Sequence, residues 1–372
     1  MDFSELRPYF EDIENRIDEQ EEQQIYDSWR EFSEGSCQGG PFVPPKRKKH
    51  PAKITWPRVF VNDALEDESL MLLGQFKNCS DMLENGSGNI LWVRPNYGVG
   101  ILPSLFGAER FIMPYDTNCL PNVRPLSGGG TALKAVLEKG QLDFRQGYGS
   151  QVFDIGERLM EIKSRFPKIG RYVFIDHPDC QGPMDICELL CGNDIFFMPY
   201  EDEDLLLYLL GGVTKVYLDF LDKWFRLCPN NDGYHCFFGR MHKGKVTIRD
   251  DSAMNLSPEF FEKFIFPFDQ QILNKFGGAI HFCGRGDHFI KYMPRFKGLY
   301  GVDVSQPHLN DMDIILKSTV NKNINLLCVR GEWSEHLDGN EYLLNRLSCR
   351  PPRPKISDVA FIFNNIKKVS RR

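Results

Sequence analysis

The sequence predicts an α/β protein, a (β/α)8 TIM-type barrel carrying an N-terminal helical extension. Three observations carry this expectation. Short apolar runs alternate with amphipathic segments from about residue 88 onward, the pattern of parallel strands with covering helices. Seven such runs can be read, close to the eight of a closed barrel and more than most open sheets need. Polar residues collect just after the runs, where barrels of this type place their chemistry.

The first 87 residues form the extension and a linker arm, and residues 88–372 form the barrel. Ile13, Ile17, Tyr26 and Trp29 recur at helical spacing in a highly charged segment, so residues 4–33 read as one or two helices laying an apolar stripe on the body or on a subunit interface of a homodimer. "GSCQGGPFVPPKRKKHPAK" (35–53) then breaks all periodicity, and its basic run at 46–50 reads as a solvated loop. The predicted strands are "NILWVR" (89–94), "RYVFID" (171–176), "KVTIRD" (245–250), "AIHFCG" (279–284), "LYGVDVS" (299–305), "INLLCV" (324–329) and "DVAFIF" (358–363). Helices are clearest at 201–226, 257–277 and 309–322, with Ser257 as N-cap and Pro258 at the first helical position. "LSGGGTALK" (126–134) lacks a P-loop context and reads as a loop entering a helix.

A formal net charge of −6 gives no reason to expect nucleic acid or an anionic membrane as partner. No apolar run is long enough to span a bilayer, and the acidic N-terminus is unlike a signal peptide, so a cytoplasmic location is expected. Eleven cysteines scattered through apolar segments suit reduced thiols better than a disulfide framework.

The strand ends supply the candidate site. Asp179, Asp250 and Asp251 are candidate catalytic carboxylates, able to act as general acid–base or to hold a cationic or N–H group. Arg94, Arg249 and Arg285 can clamp carboxylates bidentately, with Asn96, Tyr97 and Gln306 as further substrate contacts. In "AIHFCGRGDHFI" (279–290), His281 and Cys283 lie two apart on a predicted strand and share one face, offering two of the three protein ligands of a catalytic zinc.

"IRDDSAMNLSPEFFEKFIFPFDQQILNKFGGAIHFCGRGDHFI" (248–290) resembles the uroporphyrinogen decarboxylase superfamily, where a strand ending in Asp precedes an "LSPE" helix and a strand carrying H-x-C-G. "DHPDCQGPMDICELLCGNDIFFMPYEDEDLLLYLL" (176–210) and "NYGVGILPSLFGAE" (96–109) extend the resemblance over roughly residues 88–365. It implies a (β/α)8 barrel and one of two chemistries. The decarboxylases carry an arginine-rich "MRQAGR" segment that this chain lacks. The cobalamin-dependent methyltransferases, which act on coenzyme M or related thiols, bind zinc through His-x-Cys and a later Cys. His281 and Cys283 match that pair, and Cys328 is the first choice for the third ligand, ahead of Cys349, Asp303, Gln306 and His288. The resemblance thus implies a zinc enzyme moving a methyl group between a corrinoid and a small-molecule thiol. The chain has no D-x-H-x-x-G corrinoid signature, so the corrinoid would arrive on a partner protein. Decarboxylation of a tetrapyrrole or other polycarboxylate, and a ligand-binding barrel without catalysis, are the alternatives.

Overall fold

A computed structural model describes residues 3–36, 42–140, 142–229, 232–330 and 347–350. It is an α/β structure whose strands are mostly parallel. Strand β1 (Leu91–Val93) opens the body, followed by the antiparallel pair β2 (Glu109–Phe111) and β3 (Asn122–Arg124) and by β4 (Val173–Ile175). A hairpin of β5 (Tyr234–Phe237) and β6 (Arg240–Lys243) comes next. β7 (Val246–Arg249), β8 (Gly278–Phe282), β9 (Leu299–Val304), β10 (Asn325–Arg330) and β11 (Leu347–Arg350) complete the order. β1 pairs with β4, and β7 through β11 form a five-stranded parallel sheet in sequence order.

Among the described residues the two parallel sheets do not join in one ladder. A side chain and a loop bridge them instead. The Thr247 N–H on β7 donates to His177 Nε2 at 3.0 Å, and the Gly182 N–H donates to the Arg249 carbonyl at 2.7 Å. A Cβ on Gly182 would fall 2.3 Å from Asp250 Oδ1, so only glycine lets the chain after β4 cross so close to the end of β7. Six predicted strands are present with ends shifted by a residue or two, and the seventh, 358–363, lies outside the described residues.

The hairpin was not expected. Its turn has φ of 49° at Phe238 and 79° at Gly239, the double positive φ of a type I′ turn that matches strand twist. Two further expectations change. The helix over 257–277 is broken by a π-turn at Phe261–Ile265, because Pro267 has no N–H to continue the i→i−4 ladder. The basic run at 46–50 is not wholly solvated, since Arg47 is buried and grips both carboxylate oxygens of Glu22, Nε at 2.7 Å and the terminal nitrogen at 2.8 Å.

Strand parity divides the core. Val246, Ile248, Ile280, Phe282, Val302 and Leu326 face the covering helices in the larger apolar cluster, which also takes in Phe10 and Ile13 of the N-terminal helix. Ala279 and Leu327 face the other way, packed with Cys236 and Met241 of the hairpin and with Trp29 and Phe32 of the helix Glu19–Ser33. The N-terminal helices therefore share both cores with the body. On this second face Arg249, His281 and Asp303 stand side by side in register across β7, β8 and β9. No helix among the described residues is long and apolar enough to cross a membrane.

Candidate metal centre

His281 is positioned from behind. Its Nδ1 lies 2.6 Å from Asp303 Oδ2 on the neighbouring strand, while Asp303 Oδ1 accepts from Arg240 of the hairpin at 2.9 Å. A carboxylate at Nδ1 keeps the hydrogen there and leaves Nε2 as the outward-facing nitrogen. Burial lowers the proton affinity of His281, but its hydrogen bonds with Asp303 and Cys283 outweigh this and raise the imidazole to about 10.

Nε2 faces Cys283 Sγ at 3.5 Å and Asp251 Oδ1 at 3.9 Å. Single donor atoms from Asp251, His281 and Cys283 all lie within 4.8 Å of one another. A tetrahedral zinc with bonds of about 2.3 Å to sulfur and about 2.0 Å to nitrogen sets those two atoms roughly 3.5 Å apart, so the pair already has the required span. The carboxylate and its turn are fastened from neighbouring segments: Asp251 Oδ1 accepts the Cys283 N–H at 2.7 Å, and buried Asp185 accepts the N–H groups of Asp251 and Ser252 at 2.8 and 2.9 Å. Gly284, at φ 77°, turns the chain directly after Cys283. Three protein donors of mixed type, one of them 41% exposed, suit a zinc that keeps a coordination position open.

Beside Asp251 lies a cavity of about 360 Å³, lined among others by Asn122, Gln181, Asp185, Glu188 and Ser252, with no lysine, arginine or histidine among its described lining residues. Glu188 accepts a hydrogen bond from the Ser252 hydroxyl.

The other expected residues fall in several places. Asp250, adjacent to Asp251, is buried and directed toward Asp269; burial and mutual repulsion raise its carboxyl well above the usual range. Arg94 and Arg249 both turn on Asp179: Arg94 lies 3.5 Å from its Oδ2, Arg249 pairs with its Oδ1, and Gln181 donates to that oxygen at 2.7 Å. Burial would raise Asp179, but Arg249 and Arg94 outweigh it and hold the carboxyl low. Asn96 accepts from Arg94 at 2.9 Å. Tyr97 is a fully buried core ring stacked on Tyr148 at 5.4 Å. Arg285 is exposed and paired with Asp287 at 2.7 Å.

Of the candidates for the third zinc ligand, Asp303 holds the far nitrogen of His281, Gln306 accepts the Gly284 N–H at 2.5 Å, and His288 Nε2 lies 3.0 Å from the Leu256 carbonyl. Cys328 is on β10, but its side chain lies outside the described residues, and the row through His281 and Asp303 continues to Leu327. Cys349, expected in a loop, is on β11. The described residues thus supply Asp251 as the third donor, a residue first read as catalytic. Sequence reasoning missed Arg240, although two four-residue arms around Phe238-Gly239 are a readable hairpin signal.

No protein-family model and no curated protein matches the sequence. Among solved structures, a methyltransferase from Methanosarcina mazei superposes with a TM-score of 0.57 at 14% identity, over 93% of this chain and 99% of that one. At that identity the likeness speaks for architecture, and the chain shares the fold of that methyltransferase along nearly its whole length.

Proposed function

We propose that the chain is a barrel enzyme of the methyltransferase branch of the uroporphyrinogen decarboxylase superfamily, and that it moves a methyl group between a corrinoid on a separate protein and a thiol. Asp251, His281 and Cys283 are the residues that would hold zinc. The observation that supports this reading most is the meeting of carboxylate, imidazole and thiol donors, with the carboxylate of Asp251 at the edge of a cavity. The fold shared with a methyltransferase agrees with it.

Zinc bound there would supply a positive charge that lowers the proton affinity of the substrate thiol. The protein's own groups do the rest. Asp303 keeps His281 Nε2 forward, Asp185 holds the 251–252 turn, and the cavity receives the body of the thiol. Glu188, on the cavity wall, is the carboxylate that takes the thiol proton. The sulfur then forms its bond to the methyl carbon as the methyl–donor bond breaks, with that electron pair staying on the donor.

Decarboxylation draws less support, because the Arg94 and Arg249 pair that would clamp a substrate carboxylate already holds Asp179. Elemental analysis of protein purified without chelator should show about one zinc per chain, and the zinc-loaded protein should methylate a thiol from a methylated corrinoid donor. Metal-free protein that turns over polycarboxylates would overturn the reading.

A further inference from the structure

We propose that the β5–β6 hairpin is the positioning element of the metal centre: Arg240 fixes the Asp303 carboxylate, which in turn fixes the ring and tautomer of His281. The proposal rests on His281 being a metal ligand.

The chain of contacts is short and dry. Arg240 and Asp303 are 7% and 1% exposed, so water does not compete for either group. Arg240 reaches Asp303 Oδ1 at 2.9 Å, and the other oxygen of the same carboxylate meets His281 Nδ1 at 2.6 Å. With one oxygen held by a guanidinium, the carboxylate cannot swing away from the ring, and Nδ1 keeps its hydrogen. Nε2 is thereby the nitrogen aimed at Cys283 Sγ, 3.5 Å away, and the one that loses its proton to a metal. In the opposite tautomer a hydrogen would stand where the metal must bind.

The hairpin also sets the ring from its side. Phe237 lies 5.3 Å from the His281 ring, centroid to centroid, with the guanidinium groups of Arg240 and Arg249 each 5.2 Å from the same phenyl. In the sheet the row Arg249, His281, Asp303 continues to apolar Leu327, and among the described residues the hairpin crossing this face supplies the cation that reaches Asp303 Oδ1. Arg240 is held at its place by its pairing with Phe237 across the two-residue turn and by its Nε bond to the Phe237 carbonyl at 3.3 Å.

The experiment compares zinc affinity, by competition with a chromophoric chelator, and the visible spectrum of the cobalt(II)-loaded protein, for the full chain and for Asp303→Asn, Arg240→Met and Arg240→Lys. Asp303→Asn should weaken zinc binding by about 10–100-fold, the usual cost of losing an outer partner of a ligating histidine. Arg240→Met should weaken it by about tenfold, with Arg240→Lys recovering most of that loss, and the cobalt bands should shift in step with affinity. Unchanged affinities and spectra in the variants, with zinc bound normally by the wild type, would remove the relay and leave the metal centre standing. A wild type that binds no zinc would remove both. A readout independent of variant folding comes from histidine 15N shifts of the zinc-loaded wild type: His281 bound through Nε2 with its proton on Nδ1 is expected, and binding through Nδ1 overturns the proposal.

Discussion

Among the described residues two groups of similar ligand types stand out, Asp176 with His177 and His235, and Asp251 with His281 and Cys283, and their surroundings divide them. The first is fully buried. His177 spends both ring nitrogens, one at 2.7 Å from the Pro178 carbonyl and the other accepting the Thr247 N–H. Its ring stacks on His235 at 4.6 Å, and His235 Nε2 comes within 2.9 Å of Asp176 without the angle of a hydrogen bond. Burial holds both imidazoles down to about 3, so both are neutral packing groups, and His177 stitches the end of β4 to β7. In the second group one His281 nitrogen is anchored by Asp303 and the other faces Cys283 and Asp251, and a cavity lies beside Asp251. Proximity of ligand types is therefore not enough. What separates the two groups is burial: the first is closed off, whereas the second borders a cavity through Asp251.

Substitutions in the two groups should move different observables. The largest effect is expected from Cys283→Ser, which should take zinc from about one per chain to none while the thermal midpoint shifts little, because an open three-donor zinc does not hold the fold together. Retention of zinc by that variant, seen in elemental analysis, would erase the contrast from the open side. Next comes His177→Ala, which strands the Thr247 N–H and leaves a void; a loss of about 3 kcal/mol in denaturant unfolding is expected, with zinc content unchanged. Zinc loss in that variant would make the buried group a metal site after all.

Acidity should sharpen the same contrast by a smaller step. His281 without metal holds its proton up to about 10, and zinc needs Nε2 bare, so affinity should rise with pH across the range below that value, by roughly tenfold per unit for this one proton. Competition titrations between pH 6 and pH 9 would show it, and a flat profile would mean that His281 is not a ligand. The smallest effect is assigned to Glu188→Gln in the cavity wall, which should slow thiol methylation by about tenfold, less than the usual ~10²–10⁴-fold for a lost proton acceptor because bound zinc would already lower the proton affinity of the thiol, without changing zinc content.

Much of this was legible in the sequence. Six strands follow from apolar runs, and the meeting of His281 on β8 with Cys283 one residue past its end follows from their spacing. The site was legible in its types and less so in its directions. Asp250 and Asp251 read alike as neighbouring acids, yet the 3-10 turn that begins at Asp251 sends one inward to Asp269 and the other toward His281. Arg94 and Arg249 read as free clamps because nothing local reveals that Asp179 comes between them. The part played by Arg240 depends on a contact with a residue 63 positions away, which periodicity cannot register.

The hairpin also bears on how the chain reaches this state. Its four-residue arms and two-residue turn pair neighbours in sequence, a kind of closure that takes about 1–10 μs, whereas each parallel pairing from β7 to β10 must first close a far longer loop. The hairpin can therefore form before the sheet and act as the template against which the polar row comes into register. A single residue inserted at Phe238-Gly239 would turn one arm over, send Arg240 away from Asp303, and leave the sheet to assemble on the wrong face of its own template.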